Sequence, residues 1–596
     1  MKQKVSNLIK GFLTAYAMRA TISVPLQLGW YETKRDFYIA GVYELLGEYD
    51  FVFLFFLAVC TVFYLFLQGK AVRKASVIVT SALFAILVPL GQCMRDTKSA
   101  MACFGSLVNV TKFVLMVAGF FFFFLYGISA LRDCFVKKNF TDNSENFFTK
   151  RPFLKAFLIL TAVYSLVTII AYPGNLNADT IGQIYQVYGE MPYSEHHPLL
   201  STFLVGGIVK LFDNITGSQA PGLFVYTLLQ GAMLSAAFAY TIAVLSRKKL
   251  CKAGLWTVFI IYIVTPVYSN IASTAIKDVP FIAMVIVYVT LMMQIIEDTE
   301  RLKSPRFYVP LIVIETFAML LRNNGLYMIA ITGFVLWLVW LKRFKGVTKI
   351  TSILTLFLAA AVISSLLNGA MSRAVNAEKV GKGDMLSLPF QTLGRYYSEF
   401  PDDFTKSERD AIEHVLGPME LSLSRYNPDL ADQIKCKFIP TATDAEVMDF
   451  MKVWVKLFFR HPGAYIDGFL VHTYGWYCPV VSAEKRYETQ DDDFLTPTGI
   501  FETIDKGLVF LYRFLNRISI LGALENVGFA TWAYIVLFVC TDGDKKRFRL
   551  MGVYILTALL ICMASPAFLE HTRYGFPILC TVPFLWGFTL SGGQKQ

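Results

Sequence analysis

"FLKAFLILTAVYSLVTIIAYPGNLNADTIGQIYQVYGEMPYSEHHPLL", residues 153–200, joins the two kinds of sequence that decide the fold. Residues 153–172 are almost continuously apolar, and the run is long enough to cross about 30 Å of hydrocarbon. Residues 173–200 then collect carboxyl, amide and imidazole groups. This order predicts a membrane span that is followed by a polar loop at the membrane surface.

The rest of the chain repeats this alternation of long apolar runs and short polar gaps. Hydrophobic residues make up 55% of the 596 residues and charged residues only 17%, whereas soluble domains are about 25% charged. Further runs lie at 51–68, 76–93, 106–131, 222–245, 254–270, 279–297, 307–321, 325–341, 350–370, 526–541, 549–564 and 572–590, with a weaker one at 8–30. We therefore predict an all-α multi-pass membrane protein with about 13–14 transmembrane helices.

The basic residues of the chain predict its orientation. The net charge is +11, and most Lys and Arg residues fall in the short gaps at 70–74, 137–151, 247–252, 301–306, 342–349 and 545–549. If all these gaps are cytoplasmic, an even number of membrane crossings must separate each consecutive pair of gaps. The apolar runs meet this requirement only if 198–213 and 506–523 do not cross the membrane. We predict that both segments are juxtamembrane amphipathic helices. The positions of the basic residues in cytoplasmic loops then account for the positive net charge, and no nucleic acid partner is predicted.

This topology divides the chain into four parts. They are N-terminal accessory transmembrane helices (1–152), a transmembrane core (153–370) with the first outer loop 173–221, an extracytoplasmic segment (371–525) with an interfacial helix, and C-terminal transmembrane helices (526–596). We expect the extracytoplasmic segment to be mostly helical and to form a lid or acceptor platform over the site. Its Cys436 and Cys478 could pair.

The first outer loop contains a candidate general base. Residues 179–189 have the pattern of a short amphipathic helix, with Asp179, Gln183 and Gln186 on its polar face. Thr180 and Gln183 have the spacing of a capping box. A carboxylate at a helix start is held ionised by the helix dipole and can accept a proton from a substrate. The alternative is that Asp179 only stabilises the start of the helix.

Two adjacent histidines close the same loop. His196 and His197 precede Pro198, which favours an extended conformation for His197. They could form a plain turn or hydrogen-bond a polar ligand. They could also bind a metal ion together with carboxylates such as Glu190 or Asp179.

Cations recur at the other outer turns of the predicted topology. The polar residues at these turns are Lys277, Asp278, Arg322, Asn323, Arg573 and Tyr574. Cations beside carboxylates suit acid–base chemistry on a substrate with an anionic leaving group, although interfacial Lys and Arg also contact lipid head groups. We expect at least two of the cations to converge near Asp278 and to leave a gap for a phosphate. Glu315, inside a span, is expected to be the buried partner of a cation.

The order of these motifs resembles the GT-C superfamily of membrane glycosyltransferases. In that superfamily a span is followed by an acidic residue on a short helix, an "HPP" or "KPP" type of turn, an amphipathic helix and a second span. Here "NADTIGQ" (177–183), "EHHPLL" (195–200) and residues 199–213 stand in that order. "IKDVP" (276–280) is similar to the second acidic motif, and "HTRYGFP" (571–577) to the late basic and aromatic motif.

The resemblance implies a GT-C-like fold and an inverting sugar transfer, and it is closest to an uncharacterised bacterial branch. The donor would be a polyprenyl-phosphate-linked sugar. The acceptor would be a hydroxyl of a cell-envelope glycan, lipid or protein at the extracytoplasmic face of the cell membrane. The site would comprise the catalytic carboxylates Asp179 and Asp278, the phosphate-binding Lys277, Arg322 and Arg573, and the substrate-binding Gln183, Gln186, Glu190, His196, His197, Asn323 and Tyr574. No cofactor is predicted, and a divalent metal stays open.

Three other functions compete with this one. A lipid flippase or secondary transporter would place its polar residues near the middle of the membrane. A membrane acyltransferase would use His196 or His197 as its base. A lipid-linked glycan polymerase or ligase of a different fold is the third.

Overall fold

Helices account for nearly all of the regular structure, as the apolar runs predict. The structure is a computed structural model that describes residues 2–22, 51–67, 74–343, 347–379, 382–479, 507, 519–565 and 572–592. The first four helices are α1 (Lys2–Ile22), α2 (Phe51–Phe66), α3 (Ala75–Thr97) and α4 (Leu107–Lys137). They pack as one group in which Thr14 of α1 bonds the Tyr64 hydroxyl of α2 and the Gly119 carbonyl of α4.

Ten α-helices form the central part of the chain within the described ranges. They are α5 (Pro152–Ile170), α6 (Ala178–Tyr188), α7 (Leu199–Thr216), α8 (Ala220–Arg247), α9 (Lys252–Val264), α10 (Pro266–Ala272), α11 (Asp278–Glu297), α12 (Pro305–Leu321), α13 (Asn323–Arg343) and α14 (Val347–Val375). Two short strands, β1 (Asn175–Leu176) and β2 (Thr274–Ala275), pair in parallel. Because Asp278–Glu297 packs among the other helices, 89% of its apolar window is buried.

The remaining helices form a small polar-surfaced domain and a C-terminal group. The domain contains α15 (Ser387–Glu399), α16 (Lys406–Leu416), α17 (Met419–Leu423), α18 (Asp432–Lys435), α19 (Asp444–Arg460) and α20 (Pro462–Thr473). The C-terminal group contains α21 (Ser519–Glu525), α22 (Val527–Cys540), α23 (Gly552–Met563) and α24 (Phe576–Ser591).

The length and composition of the helices identify a multi-pass membrane protein. Within the described ranges, eight helices are long and apolar enough to cross a membrane, or nine if α9 and α10, which meet at a 52° bend, form one broken span. The sequence predicts about 13–14. Several predicted runs form helices of 17 residues or fewer, among them Phe51–Phe66, Pro305–Leu321 and Val527–Cys540, which lowers the number counted within the described ranges.

Several basic positions within the described ranges lie at one end of the bundle. Lys248, just after α8, forms an ion pair with Glu297 at the end of α11. Asp542, just after α22, pairs with Lys74 and with Arg132. We call this end the basic face. The opposite end, where α5 ends and where α8 and α11 begin, is called the site face.

Helix α7 is long and apolar enough to cross the membrane. Whether it crosses can be read from the directions of α5 and α8, the membrane helices before and after it. Gly174, after α5, lies against Thr227 near the start of α8, since a Cβ there would be 2.7 Å from Thr227 Cγ2. At the other end of α8, the Ser246 hydroxyl donates to the Phe148 carbonyl before α5, at 2.9 Å. Helices α5 and α8 are therefore antiparallel, and the segment between them begins and ends on the site face. This agrees with the prediction that 198–213 does not cross, while the predicted helix at 506–523 lies almost entirely outside the described residues.

The small domain is helical, as predicted, and has its own apolar core. Two of its described links run to the turn between α3 and α4, where Asp429 pairs with Lys98 at 2.8 Å and Asp467 accepts from the Ala100 amide at 2.6 Å. Just before the domain, the Glu378 amide donates to the Tyr193 carbonyl of the first outer loop, at 2.8 Å. A role as lid or acceptor platform stays a prediction.

One pairing that the sequence left open and one expected ion pair are not formed among the described residues. Cys436 and Cys478 are both free, because Cys436 is exposed whereas Cys478 is buried in the core of the membrane helices. Glu315 is only 4% exposed within α12, but it forms no ion pair with any described residue, and its Oε2 atom has no hydrogen-bond partner among them.

Candidate active site

Asp179 is held at the start of α6 by two contacts that involve its neighbours. The Asn177 side chain accepts a hydrogen bond from the Asp179 amide at 3.0 Å and so caps the helix. The Thr180 hydroxyl donates to the Ala275 carbonyl in β2, at 2.6 Å. The predicted capping box of Thr180 and Gln183 is therefore wrong, because the Thr180 hydroxyl bonds a strand that is distant in sequence.

Strand β2 brings Lys277 and Asp278 to the same place. Its residue Thr274 lies opposite Asn175 of β1, which precedes Asp179 by only four positions. The buried Gln230 of α8 donates to the Ala272 carbonyl at 3.1 Å and also to the Thr274 carbonyl. The short parallel ladder and this amide therefore fix the distance between the start of α6 and the start of α11.

The side chains at these two helix starts form a network of ion pairs with two arginines. Lys277 Nζ lies 2.8 Å and Arg573 Nη1 lies 3.1 Å from Asp179 Oδ2. Arg573 Nη1 is also 3.9 Å from Asp278 Oδ2, while Arg322 donates to Asp278 Oδ1. The structure thus brings the two predicted carboxylates and the three predicted cations together. We call the group of Asp179, His197, Lys277, Asp278, Arg322 and Arg573 the Asp179 cluster.

His197 completes the network as a neutral side chain. Its Nδ1 atom is 2.7 Å from Lys277 Nζ. Because an ammonium group can only donate, Nδ1 accepts and the imidazole carries its proton on Nε2. Burial and the charge of Lys277 lower the pKa of His197 to about 3. His197 therefore orients Lys277 without adding charge.

The charges of the cluster are not balanced. Counted over the described residues of the cluster alone, two carboxylates face three cations, which leaves one more positive than negative charge. Burial raises the pKa of Asp179, but the Arg573 and Lys277 charges outweigh burial and hold that pKa well below its usual range. Burial lowers the pKa of Lys277 even though Asp179 opposes that shift. The arrangement favours a further anion.

Aromatic rings and burial limit access to the cluster. The Tyr574 ring centre is 4.7 Å from the Arg322 guanidinium carbon and 5.5 Å from that of Arg573. The Asp278 side chain is only 1% exposed, whereas 25% of the Asp179 side chain is exposed. Of the two carboxylates, Asp179 is the one that a substrate can reach.

The expected gap for a phosphate stays a prediction, and the cations are paired with carboxylates in this conformation. Lys277 and Arg322 each contact a carboxylate directly, so the cluster is closed on itself. The physical reason is that buried cations need partners, and the carboxylates serve as partners here. A phosphate would compete with these carboxylates for the cations.

Two predicted substrate-binding residues instead bond other parts of the protein, Gln183 to α7 and Gln186 to the loop before α7. Gln183 is 1% exposed, and its amide donates to the Ser201 hydroxyl at 2.7 Å and to the Thr202 hydroxyl at 3.0 Å. Gln186 is also buried, and its oxygen accepts from the Ser194 amide at 3.4 Å. Their contacts are therefore with the protein itself.

Three other predicted residues lie at the rim of the site. Glu190 and His196 are exposed on the first outer loop. Asn323 is exposed at the start of α13, and its amide lies 3.5 Å from the Glu195 carbonyl of the same loop. The His196 ring is 4.6 Å from the His197 ring, so a ligand that reaches the cluster would pass close to it.

A metal ion has no evident binding place in this arrangement. In the part of the chain that the structure describes, no group of three His, Cys, Asp or Glu side chains is placed to hold one. The two carboxylates of the cluster are already paired with cations, which would repel a divalent ion.

Sequence reasoning missed two residues that build the site. Asn177 caps α6 and also lies 3.5 Å from Arg573 Nη1. Asparagine directly before a helix is a capping signal that could have identified it. Gln230 lies in a continuous apolar run of α8, and its contact with β2 has no local signal beyond an amide inside a membrane helix.

Comparisons with known proteins identify a family without assigning an activity. The model of a family described as "Family of unknown function (DUF6020)" matches residues 189–592. This range includes Lys277, Asp278, Arg322 and Arg573 and begins after Asp179. No curated protein and no solved structure matches the chain. Because the match covers more than half of the chain, the protein belongs to the DUF6020 family.

Proposed function

We propose that this protein is a membrane glycosyltransferase that moves a sugar from a polyprenyl-phosphate donor to an acceptor hydroxyl. The observation that carries the proposal is the Asp179 cluster, in which three cations and an accessible carboxylate meet at the membrane end opposite the basic loops. Because basic loops favour the cytoplasm, the proposed site faces the extracytoplasmic side. The resemblance of the motif order to the GT-C superfamily supports the same function.

The ion pairs of the cluster suggest how donor binding would activate the base. A phosphate group can replace Asp179 as partner of Lys277 and Arg573, which are 2.8 Å and 3.1 Å from it. Asp179 then loses the charges that hold its pKa down, and its affinity for a proton rises. Activation would therefore occur only when the donor is in place.

The chemical step follows from this exchange of partners. Asp179 accepts the proton of the acceptor hydroxyl, and the hydroxyl oxygen bonds to the anomeric carbon of the sugar. The bond between that carbon and the phosphate oxygen breaks, and the polyprenyl phosphate leaves with the electron pair. Lys277, Arg322 and Arg573 stabilise its negative charge. Direct displacement inverts the anomeric centre.

The geometry is less favourable to two of the three competing classes of function. A transporter would need polar groups near the middle of the membrane, whereas the Asp179 cluster lies at helix ends. An acyltransferase would need a basic histidine. His197 has a pKa lowered to about 3 by burial and the Lys277 charge, and its Nδ1 atom is occupied by Lys277.

A transfer assay with the full-length protein tests the proposal. Purified protein in liposomes is given a panel of polyprenyl-phosphate sugars together with a membrane extract of its host as acceptor, and release of polyprenyl phosphate is measured. The proposal predicts saturable release that Arg573→Gln lowers and that Arg409→Gln, on the small domain, leaves unchanged. Absence of release across the panel by well-folded protein would contradict it.

A further inference from the structure

A second candidate site lies away from the Asp179 cluster, between three membrane helices. A cavity of about 470 Å³ is enclosed by α9, α22 and α24. Its walls are mostly apolar, and they include Val258, Ile261, Ala530, Ala533, Val582 and Trp586. A cavity of this size and composition is typical of a ligand site rather than of a packing defect. We call it the α9 groove.

The groove is elongated along the membrane normal. Its lining extends from Leu250, beside the basic face, to Tyr268 in α10. On α9 the lining runs from Ala253 to Ile261, a distance of about 12 Å along the helix. One leaflet of a bilayer contributes roughly 15 Å of hydrocarbon, half of the total thickness. The groove therefore has the length and the polarity to hold one hydrocarbon chain from a single leaflet.

Positive charge surrounds the mouth of the groove at the basic face. Lys138 lines the mouth. Two residues later, the Phe140 carbonyl accepts from the Cys251 amide at 2.7 Å, and this bond holds the Lys138 segment against the start of α9. Lys249 and Lys252, both exposed, flank lining residues of the groove. Within the described ranges, none of the three lysines forms an ion pair with a carboxylate.

We propose that the α9 groove binds one acyl chain of an anionic glycerophospholipid from the leaflet on the basic side, with its head group against Lys138. The apolar lining matches the chain, and the exposed lysines match a negative head group. None of the residues of the Asp179 cluster lines the groove. The proposal is therefore independent of the proposed glycosyltransferase activity.

Photolabelling of the full-length protein in nanodiscs tests this lipid site. The probes are phosphatidylglycerol and phosphatidylcholine that carry the same photoactivatable group on one acyl chain, and labelled peptides are located by mass spectrometry. We expect phosphatidylglycerol to label α9, α22 and α24 more strongly than phosphatidylcholine does. Because one lysine near a membrane surface contributes a factor of about five in affinity, Lys138→Gln should lower the ratio of the two labels by about that factor.

Variants separate the roles of the head group and of the acyl chain. Thr257→Trp, at an exposed lining position, and Ala533→Trp should both reduce labelling by either lipid, because they fill the groove. Lys452→Gln, an exposed lysine of the small domain, is the matched control and should change nothing. Equal labelling by the two lipids, an unchanged ratio in Lys138→Gln, or equally strong labelling around the exposed Leu166 of α5 would overturn the proposal.

Discussion

Asp179 and Lys277 form an ion pair that limits what each side chain can do alone. The Lys277 and Arg573 charges hold the pKa of Asp179 low, so the carboxylate is a weak base as long as those pairs persist. The excess positive charge of the cluster attracts an anion, and an anion would release the carboxylate. This proposed coupling between phosphate binding and basicity could not be deduced from residue types alone, because it depends on which cation touches which carboxylate.

Acid should destabilise the protein through His197. Its pKa is about 3 in the folded protein and about 6.5 in an unfolded chain. Between these pH values the unfolded state binds one proton more than the folded state. The contribution of neutral His197 to stability is therefore fully present above about pH 6.5 and is lost as the pH falls. This residue should contribute a slope of up to about 1.4 kcal/mol per pH unit to the free energy of unfolding. The apparent unfolding midpoint in detergent, followed from about pH 7.5 to about pH 5, reports this slope.

His197→Asn keeps an acceptor for Lys277 but cannot titrate, so its midpoint should depend less on pH. His414→Asn, which changes an exposed histidine of the small domain, is the control and should retain the wild-type slope. Burial also lowers the pKa of His472, and its contribution of the same sign remains in both variants. Identical slopes in the wild type and in His197→Asn would refute the neutral state assigned to His197.

At the scale of elements, close contact between α6 and α7 sets the position of Asp179. A Cβ at Gly206 would lie 2.4 Å from Val187 Cγ2 and 2.8 Å from Val187 Cβ. Gly206→Ala should therefore separate the two helices and lower the free energy of unfolding by about 1–3 kcal/mol, as overpacking typically does. Thermal unfolding in detergent measures this loss.

The adjacent glycine provides the control for that substitution. A Cβ at Gly207 has no atom within 4 Å. Gly207→Ala should leave stability unchanged or raise it by about 0.5–1 kcal/mol, because alanine favours a helix. If both alanines had the same effect, the packing of α6 on α7 would not be as described.

The sequence predicted where the helices lie better than it predicted which side chains are buried between them. Apolar length located the spans, and loop charge indicated that Lys277 and Arg573 share one end of the bundle. The sequence placed Gln183 on the polar face of α6, whereas the structure buries it against α7. Its partners, the Ser201 and Thr202 hydroxyls, lie on that next helix, and such a contact leaves no periodic signal in the sequence. The β1–β2 pair was missed for the same reason, since two residues of strand are too short to show a pattern.

At the scale of the whole molecule, two native cysteines report the orientation. Cys436 is exposed on the small domain, and Cys134 is exposed near the end of α4 at the basic face. If the basic face is cytoplasmic, a membrane-impermeant maleimide added to intact cells should label Cys436 and not Cys134. Permeabilised cells should show label at both residues.

Substitution of each cysteine assigns the label. Cys436→Ser should abolish labelling of intact cells, and Cys134→Ser should leave it unchanged. Labelling of Cys134 alone from outside would reverse the orientation and place the Asp179 cluster in the cytoplasm.

The proton-accepting role of Asp179 is tested most directly by the rate of sugar transfer in liposomes. Asp179→Asn keeps the shape of the side chain and removes its basicity, so turnover should fall by about 10²–10⁴-fold. Asp213→Asn, at the Tyr188 contact of α7, makes the same chemical change outside the cluster and should transfer at the wild-type rate. Near-wild-type transfer by folded Asp179→Asn would contradict the role, and a loss confined to Asp278→Asn would assign it to Asp278.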